Sequence, residues 1–347
     1  MNHAFRAPSR PWRLGLVGFH HKHVNYLLRA CRDHPDILQI VALAEHDPGL
    51  RQRMAHELGV PAFESHKSLL DAVAPDVVGL VARNGDRGAV VLDTLHSGSH
   101  VIADKPLCTT LAQLHAIAEA ASSSGLQCLL MLEKRGNPAV RTAHDVIRSG
   151  EIGPLAQAWT TAPHQLRRTQ RPEWMWDPDV YGGLINDLAV HDIDLLLWFS
   201  GATNGRVLGL AGNAAVPQLP GFTDHAQVVL ETDTGVLATT QVDWLIPGES
   251  GGHSGSRMRL TGTQGRATLA LEEHQLEIAT EAGRRTVPLD SARSPVHDSL
   301  ESLTGDVADQ RPTWEALAAT RVALLAQQSA ARGAVWLEFQ LPELDRK

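Results

Sequence analysis

The first third of the chain alternates solid apolar runs with helical stretches, and this alternation limits the possible folds more than any other feature. "RLGLVGF" (13–19), "LQIVALAEHD" (38–47), "DVVGLVA" (76–82), "HVIADKP" (100–106) and "LQCLLMLE" (126–133) read as buried strands. Residues 24–31, 48–59, 87–98 and 110–125 carry helical spacing between them. Strands that are apolar throughout, rather than alternately, are covered on both faces. The pattern therefore predicts a parallel sheet wrapped by helices.

After residue 133 the texture changes. Residues 137–153 and 184–201 predict helices, and 154–182 between them read as irregular, rich in Trp, Pro and Arg. From 206 to 290 the period is two, with hairpins turning at "TDTG", "GTQG" and "EAG", which implies an antiparallel sheet with one buried face. A last helix over 313–333 puts Trp314, Leu317, Ala318, Leu325 and Ala326 on one stripe. The expected architecture is an α/β dinucleotide-binding domain over 11–133 and an α+β domain over 134–347 with an open-faced, largely antiparallel sheet.

Composition excludes some partners. A net charge of −8 over 347 residues argues against a general nucleic-acid binder, which would need a basic face. No run approaches the length of a membrane span, and the polar N-terminus lacks the apolar segment of a secretion signal. The three cysteines are odd in number and far apart, which argues against a disulfide framework. A cytoplasmic protein with a small-molecule substrate is expected.

Two local patterns carry chemistry. The first is the turn "GFHHKH" after strand one. A dinucleotide fold usually has G-x-G-x-x-G here, so that backbone N–H groups approach a pyrophosphate at a helix N-terminus. Only Gly18 keeps its place, with His20 and His23 in the other two. Glu45, closing the second strand, suits ribose hydroxyls and disfavours a 2′-phosphate, so NAD is preferred over NADP. A rival reading makes His21 and His23 an H-x-H metal pair, completed by His191 with Asp187 or Asp194. A third takes the histidines as a surface cluster in a chain with 18 of them. On the turn alone all three stay open.

The second is "GGLINDLAVHDID". Asp187 and His191 are four apart and share a helix face, with Asp194 three further on. A carboxylate beside an imidazole makes a competent acid–base pair. Lys105, directly after a strand, stands where open parallel sheets bind ligands, able to bond a substrate hydroxyl. Asp104 before it reads as a structural turn residue. In "HQLRRTQRPEWMWDPDVY" (164–181), Trp174, Trp176 and Tyr181 could line a sugar face, and Arg167 or Arg168 could pair with a carboxylate.

As a set these residues resemble the Gfo/Idh/MocA oxidoreductases, the glucose–fructose oxidoreductase and inositol dehydrogenase family, from about residue 13 to 335. "HSGSHVIADKPL" stands for the family's G-x-H-V-x-x-E-K-P, "GGLINDLAVHDIDLLLWFSG" for its D-x-x-x-H helix, and "LTGTQGRATL" for a sheet hairpin. The resemblance implies a Rossmann domain, with Gly18, Phe19, His20, His21, Glu45, Asn84, Asp104 and Lys105 around the cofactor. It makes Lys105, Asp187 and His191 a catalytic triad, these three with Trp174, Trp176 and Tyr181 facing substrate. It also implies dimers or tetramers through the C-terminal sheet. The implied activity is NAD(P)-dependent oxidation of a CH–OH group in a sugar, polyol or inositol-like compound, or reduction of its keto form, with no resident metal. Asp104 replaces the usual glutamate, Arg83 a proline and Arg87 a histidine, and the two arginines suggest an anionic substrate. The alternatives are a non-catalytic sugar-binding or regulatory protein on the same fold, or a metal enzyme using His21 and His23.

Overall fold

The computed structural model describes residues 5, 8–247 and 255–341. The chain forms two compact units, one of residues 1–131 and 294–317 and the other of 132–293 and 318–347.

In the first unit the order is β1 (Trp12–Val17), α1 (Val24–Asp33), β2 (Leu38–Ala44), α2 (Pro48–Leu58), β3 (Ala62–Phe63), α3 (His66–Val73), β4 (Val77–Leu80), α4 (Asn84–His96), β5 (His100–Ala103), α5 (Leu111–Ser124) and β6 (Cys128–Leu130). The six strands are all parallel, in the order β3-β2-β1-β4-β5-β6. Leu14, Leu16, Val77, Val78, Leu80, Val101 and Ile102 are fully buried, as strands covered on both faces require. Local chemistry punctuates the helices. Asp47 caps α2 through the Leu50 N–H with Pro48 in the first turn, and Gly59 ends it in the left-handed region. Thr110 and Gly125 do the same for α5. The strand order reverses between β1 and β4, which opens a crevice at their carboxyl ends.

The second unit contains α6 (Pro138–Ser149), β7 (Leu155–Pro163), α7 (Pro178–Tyr181), a π-helical turn (Ile185–Ala189) running into α8 (Val190–Ser200), β8 (Asn204–Gly212), β9 (His225–Thr232), β10 (Leu237–Asp243), β11 (Arg257–Gly262), β12 (Gly265–Ala270), β13 (Gln275–Thr280) and β14 (Gly283–Thr286). After α9 (His297–Thr304) and α10 (Arg311–Ala331), β15 (Leu337–Gln340) completes a nine-stranded sheet, ordered β14-β13-β12-β11-β7-β10-β9-β8-β15. All its ladders are antiparallel except β7 with β10. The three expected hairpins are present. β7 falls inside the stretch read as irregular, and it lies at the centre of the sheet. One face is closed by Ala158, Thr160, Ala162, Val228, Leu230, Ala238 and Val242. Trp159, Leu210 and Leu237, 36–52% exposed, lie on the other.

Candidate functional site

At the end of β1, Gly18 has φ +81°, and a Cβ there would stand 2.7 Å from the Ala82 backbone N and Cα. The close approach of the two strand ends at the switch point therefore requires glycine. Each histidine of the turn then faces a buried carboxylate. His20 Nε2 lies 3.5 Å from Glu45 Oε1. Glu45 accepts from the Phe19 and Asp47 amides, both at 3.0 Å, and so braces the turn against β2. The amides of Val24, Asn25 and Tyr26 close onto the carbonyls of His21, Lys22 and His23, which tightens the first turn of α1.

Asp104, at the end of β5, is the electrostatic centre of this unit. Its Oδ1 takes the Lys105 amide at 2.9 Å and lies 2.7 Å from His23 Nδ1, while Oδ2 takes Arg87 Nη2 at 3.1 Å. Burial alone would push its carboxyl up, but Arg87, His21 and His23 hold it well below the carboxylate range. Burial lowers the His21 pKa despite Asp104, which keeps that imidazole neutral. Arg87 is 2% exposed and also donates to the Ala82, Lys105 and Pro106 carbonyls. This corrects the expectation of an anion-binding Arg87, because the guanidinium is spent on the protein's own carboxylate. Arg83 pairs with Asp86 at 2.7 Å. Asn84 opens α4 and is buried, and Lys105 is half-buried. Gly18, Phe19, His20, His21, Glu45, Asp104 and Lys105 are thus linked around the ends of β1, β2 and β5.

In the second unit, Gly182 and Gly183 take φ +77° and +89° and launch the π turn. The Gln327 Oε1 on α10 accepts the Ile185 N–H at 3.2 Å. Asp187 sits inside the π turn and His191 in the first turn of α8, 8% and 4% exposed. The expected uniform α-helix is thus interrupted at the expected acid–base pair, a place where such bulges recur. Tyr181, expected at a sugar face, is 2% exposed and donates its hydroxyl to Asp187 Oδ2 at 2.9 Å. Trp244 Nε1 donates in turn to the Tyr181 oxygen at 3.1 Å. Burial and the Asp187 charge push the Tyr181 pKa well above its ordinary value, so it stays a donor.

Asp194 makes a bidentate pair with Arg135 at 2.6 and 2.7 Å, which removes it from the metal set considered above. Asp192 pairs likewise with Lys134. Trp174 and Trp176 are half-buried, Trp176 against Phe222 at 5.4 Å. Tyr181's role, Trp244 and Gln327 were not expected from the sequence. Only the Gly182-Gly183 pair hinted at an unusual helix start.

The residues at the switch point fit a nicotinamide dinucleotide. Gly18 lets β1 end tightly against the backbone of Ala82 at the switch point, and the Glu45 carboxylate retains lone pairs beyond the two that its amides use. This is the cofactor domain of a dehydrogenase-type oxidoreductase. The chain belongs to the GFO/IDH/MocA oxidoreductase family, with residues 12–132 matching its NAD-binding Rossmann-fold model and 140–268 its C-terminal-domain model. It is 23% identical over 244 residues to scyllo-inositol 2-dehydrogenase (NAD(+)) of Bacillus subtilis strain 168, covering 68% of each protein. It is 28% identical over 199 residues to dTDP-3,4-didehydro-2,6-dideoxy-alpha-D-glucose 3-reductase of Streptomyces antibioticus, covering 56% of this chain and 58% of that protein. Levoglucosan dehydrogenase, solved in complex with NADH, shares the fold at a TM-score of 0.83 and 18% identity, over 96% of this chain and all (100%) of that one.

Proposed function

We propose that this chain is an NAD-dependent oxidoreductase that oxidises a CH–OH group of a sugar, polyol or inositol-like substrate, or reduces its keto form. The observation that carries the reading is the start of the 185–200 helix. A buried carboxylate, held by a tyrosine hydroxyl, precedes a buried imidazole by four residues. The chain also carries the switch-point turn of a cofactor domain. His191 takes the hydroxyl proton in oxidation and returns it in reduction. Asp187, held by Tyr181, orients that imidazole and stabilises its charged form. Lys105 bonds the reacting oxygen and assists the transfer. A nicotinamide held at the switch point would supply the hydride chemistry, and the protein contributes positioning and proton handling.

Glu45 supports NAD over NADP, since a 2′-phosphate would meet its charge. The relative named for scyllo-inositol and the neighbour named for levoglucosan support a cyclic polyhydroxylated substrate, against which Trp174 and Trp176 would stack. The exposed sheet face bearing Trp159, Leu210 and Leu237 would serve the dimers or tetramers that the resemblance implies.

The test is NAD+ reduction over a panel of polyols and sugars, with His191→Ala beside the wild type. On a true substrate the variant is expected to turn over roughly 10²–10⁴-fold more slowly. An unchanged rate would overturn the role of His191, and absence of saturable NADH binding to the wild type would overturn the cofactor.

A further inference from the structure

His21 and His23 leave the first turn two residues apart, and their rings meet edge to face with centroids 3.9 Å apart. Asp104 faces both, Oδ1 at 2.7 Å from His23 Nδ1 and Oδ2 at 3.5 Å from His21 Nδ1. One donor atom from each lies within 4.8 Å of the other two. No other grouping of three or more histidine, cysteine or carboxylate groups meets that spacing among the described residues.

We propose that His21, His23 and Asp104 bind one divalent transition-metal ion of the zinc class, with a further coordination position open to solvent. The donors are right, because imidazole nitrogen and carboxylate oxygen are the usual non-thiolate ligands of zinc. The spacing is right too. Bonds of roughly 2.0–2.2 Å at tetrahedral angles set donor atoms about 3.3 Å apart. His21 Nδ1 stands 3.5 Å from Asp104 Oδ2, and the 2.7 Å hydrogen bond from His23 Nδ1 to Oδ1 would lengthen as the ion takes the place of its proton. His21 Nδ1 is itself buried, and Asp104 Oδ2 at 3.5 Å is its neighbour.

The carboxylate is also supported as a metal ligand needs to be. Arg87 holds Oδ2 at 3.1 Å and the Lys105 amide holds Oδ1 at 2.9 Å, and such outer hydrogen bonds keep a ligand oriented. The cluster opens on one side only. Asp104 is 0% and His23 7% exposed, whereas the His21 side chain is 31% exposed. Three protein ligands with one open position is the arrangement of catalytic zinc rather than structural zinc. Because Arg87 already balances Asp104, the bound ion would keep its positive charge and recruit hydroxide or an anionic oxygen ligand on the open side.

The test uses the full chain, stripped with chelator and titrated with Co2+ alone while visible absorption is followed. One cobalt per chain is expected, with the intensified d–d bands of four- or five-coordinate cobalt, displaced by Zn2+. His21→Ala, at the open side of the cluster where the core is not disturbed, should lose those bands and bind at least about tenfold more weakly. Absence of the bands in the wild type would overturn the proposal. So would equal binding by His21→Ala, which would place the ion elsewhere among the chain's 18 histidines. Neither readout involves dinucleotide or substrate.

Discussion

The guanidinium of Arg87 closes on the carboxylate of Asp104, Nη2 to Oδ2 at 3.1 Å, with neither side chain more than 2% exposed. Two departures from the family pattern, arginine for histidine and aspartate for glutamate, are therefore one. The longer cation reaches the shorter acid. Removing one member strands the other's charge in the core, so Arg87→Met is expected to cost about 3–5 kcal/mol in urea unfolding. The double variant Arg87→His, Asp104→Glu should recover most of that loss. A cost no larger than that of an exposed ion pair would show that the pair does not hold the end of β5.

Tyr181 is expected to act through Asp187. Tyr181→Phe keeps the ring, stacked 5.8 Å from Phe222, but removes the donor to Asp187 and the acceptor for Trp244. We expect kcat to fall about 10–100-fold, within the range of acid–base effects, with the apparent pKa of the pH–rate profile displaced. A stability effect without a displaced profile would reduce Tyr181 to packing. The sign at high pH also follows. Its pKa is raised in the fold, so its contribution to stability is intact below the ordinary 10.0 and is lost as pH rises above it. The chain has only two tyrosines, Tyr26 and Tyr181. Phenolate absorbance should therefore show the Tyr181 phenol titrating only on unfolding.

The first unit was the more legible because its signals are local. Apolar runs mark strands covered on both faces, and Asp47-Pro48 with Gly59 mark both helix ends within a residue or two, whereas Asn137-Pro138 in the second unit marks only the start of a helix that ends at Ser149 and not at 153. β7 was missed because its inward residues, Ala158, Thr160 and Ala162, are small or polar while Trp159 points outward, so its hydrophobic alternation is inverted. The π turn at Ile185–Ala189 changes the hydrogen-bond register of the backbone and leaves no side-chain periodicity to read. Lys105, Asp187 and His191 were visible as motif residues. Arg87 was misjudged because its partner is 17 residues away, across a strand and a turn.

His100 sets an acid limit on the first unit. Its Nδ1 accepts the Gln127 N–H at 2.9 Å, so the ring is neutral with its proton on Nε2. Burial lowers its pKa from the ordinary 6.5. Protonation would turn that acceptor into a second donor. The unfolded chain binds the proton more readily, so stability is complete above 6.5 and declines as pH falls below it. Burial lowers the His21 pKa as well and adds to the same decline. Asp104, held well below its ordinary 3.8, adds a second decline only at lower pH. The urea midpoint should drop between about pH 7 and pH 5. His100→Gln, whose amide oxygen can accept the Gln127 N–H, should shrink that drop. An equal drop in the variant would assign the whole acid limit to other groups.

Glu45 has two duties, and one substitution separates them. Both oxygens brace the turn through the Phe19 and Asp47 amides, while the charge, 2% exposed, stands at the end of β2 where a ribose hydroxyl is welcome and a 2′-phosphate is not. Glu45→Gln keeps an acceptor and loses the charge. NADH affinity measured by fluorescence titration should weaken, and the preference over NADPH should narrow by about tenfold, equivalent to about 1.4 kcal/mol. Gly18→Ala is the control, because its Cβ would meet the Ala82 backbone at 2.7 Å and should abolish binding of both nucleotides. If Glu45→Gln weakens both equally, the carboxylate is a brace for the turn and the choice of nucleotide is made elsewhere.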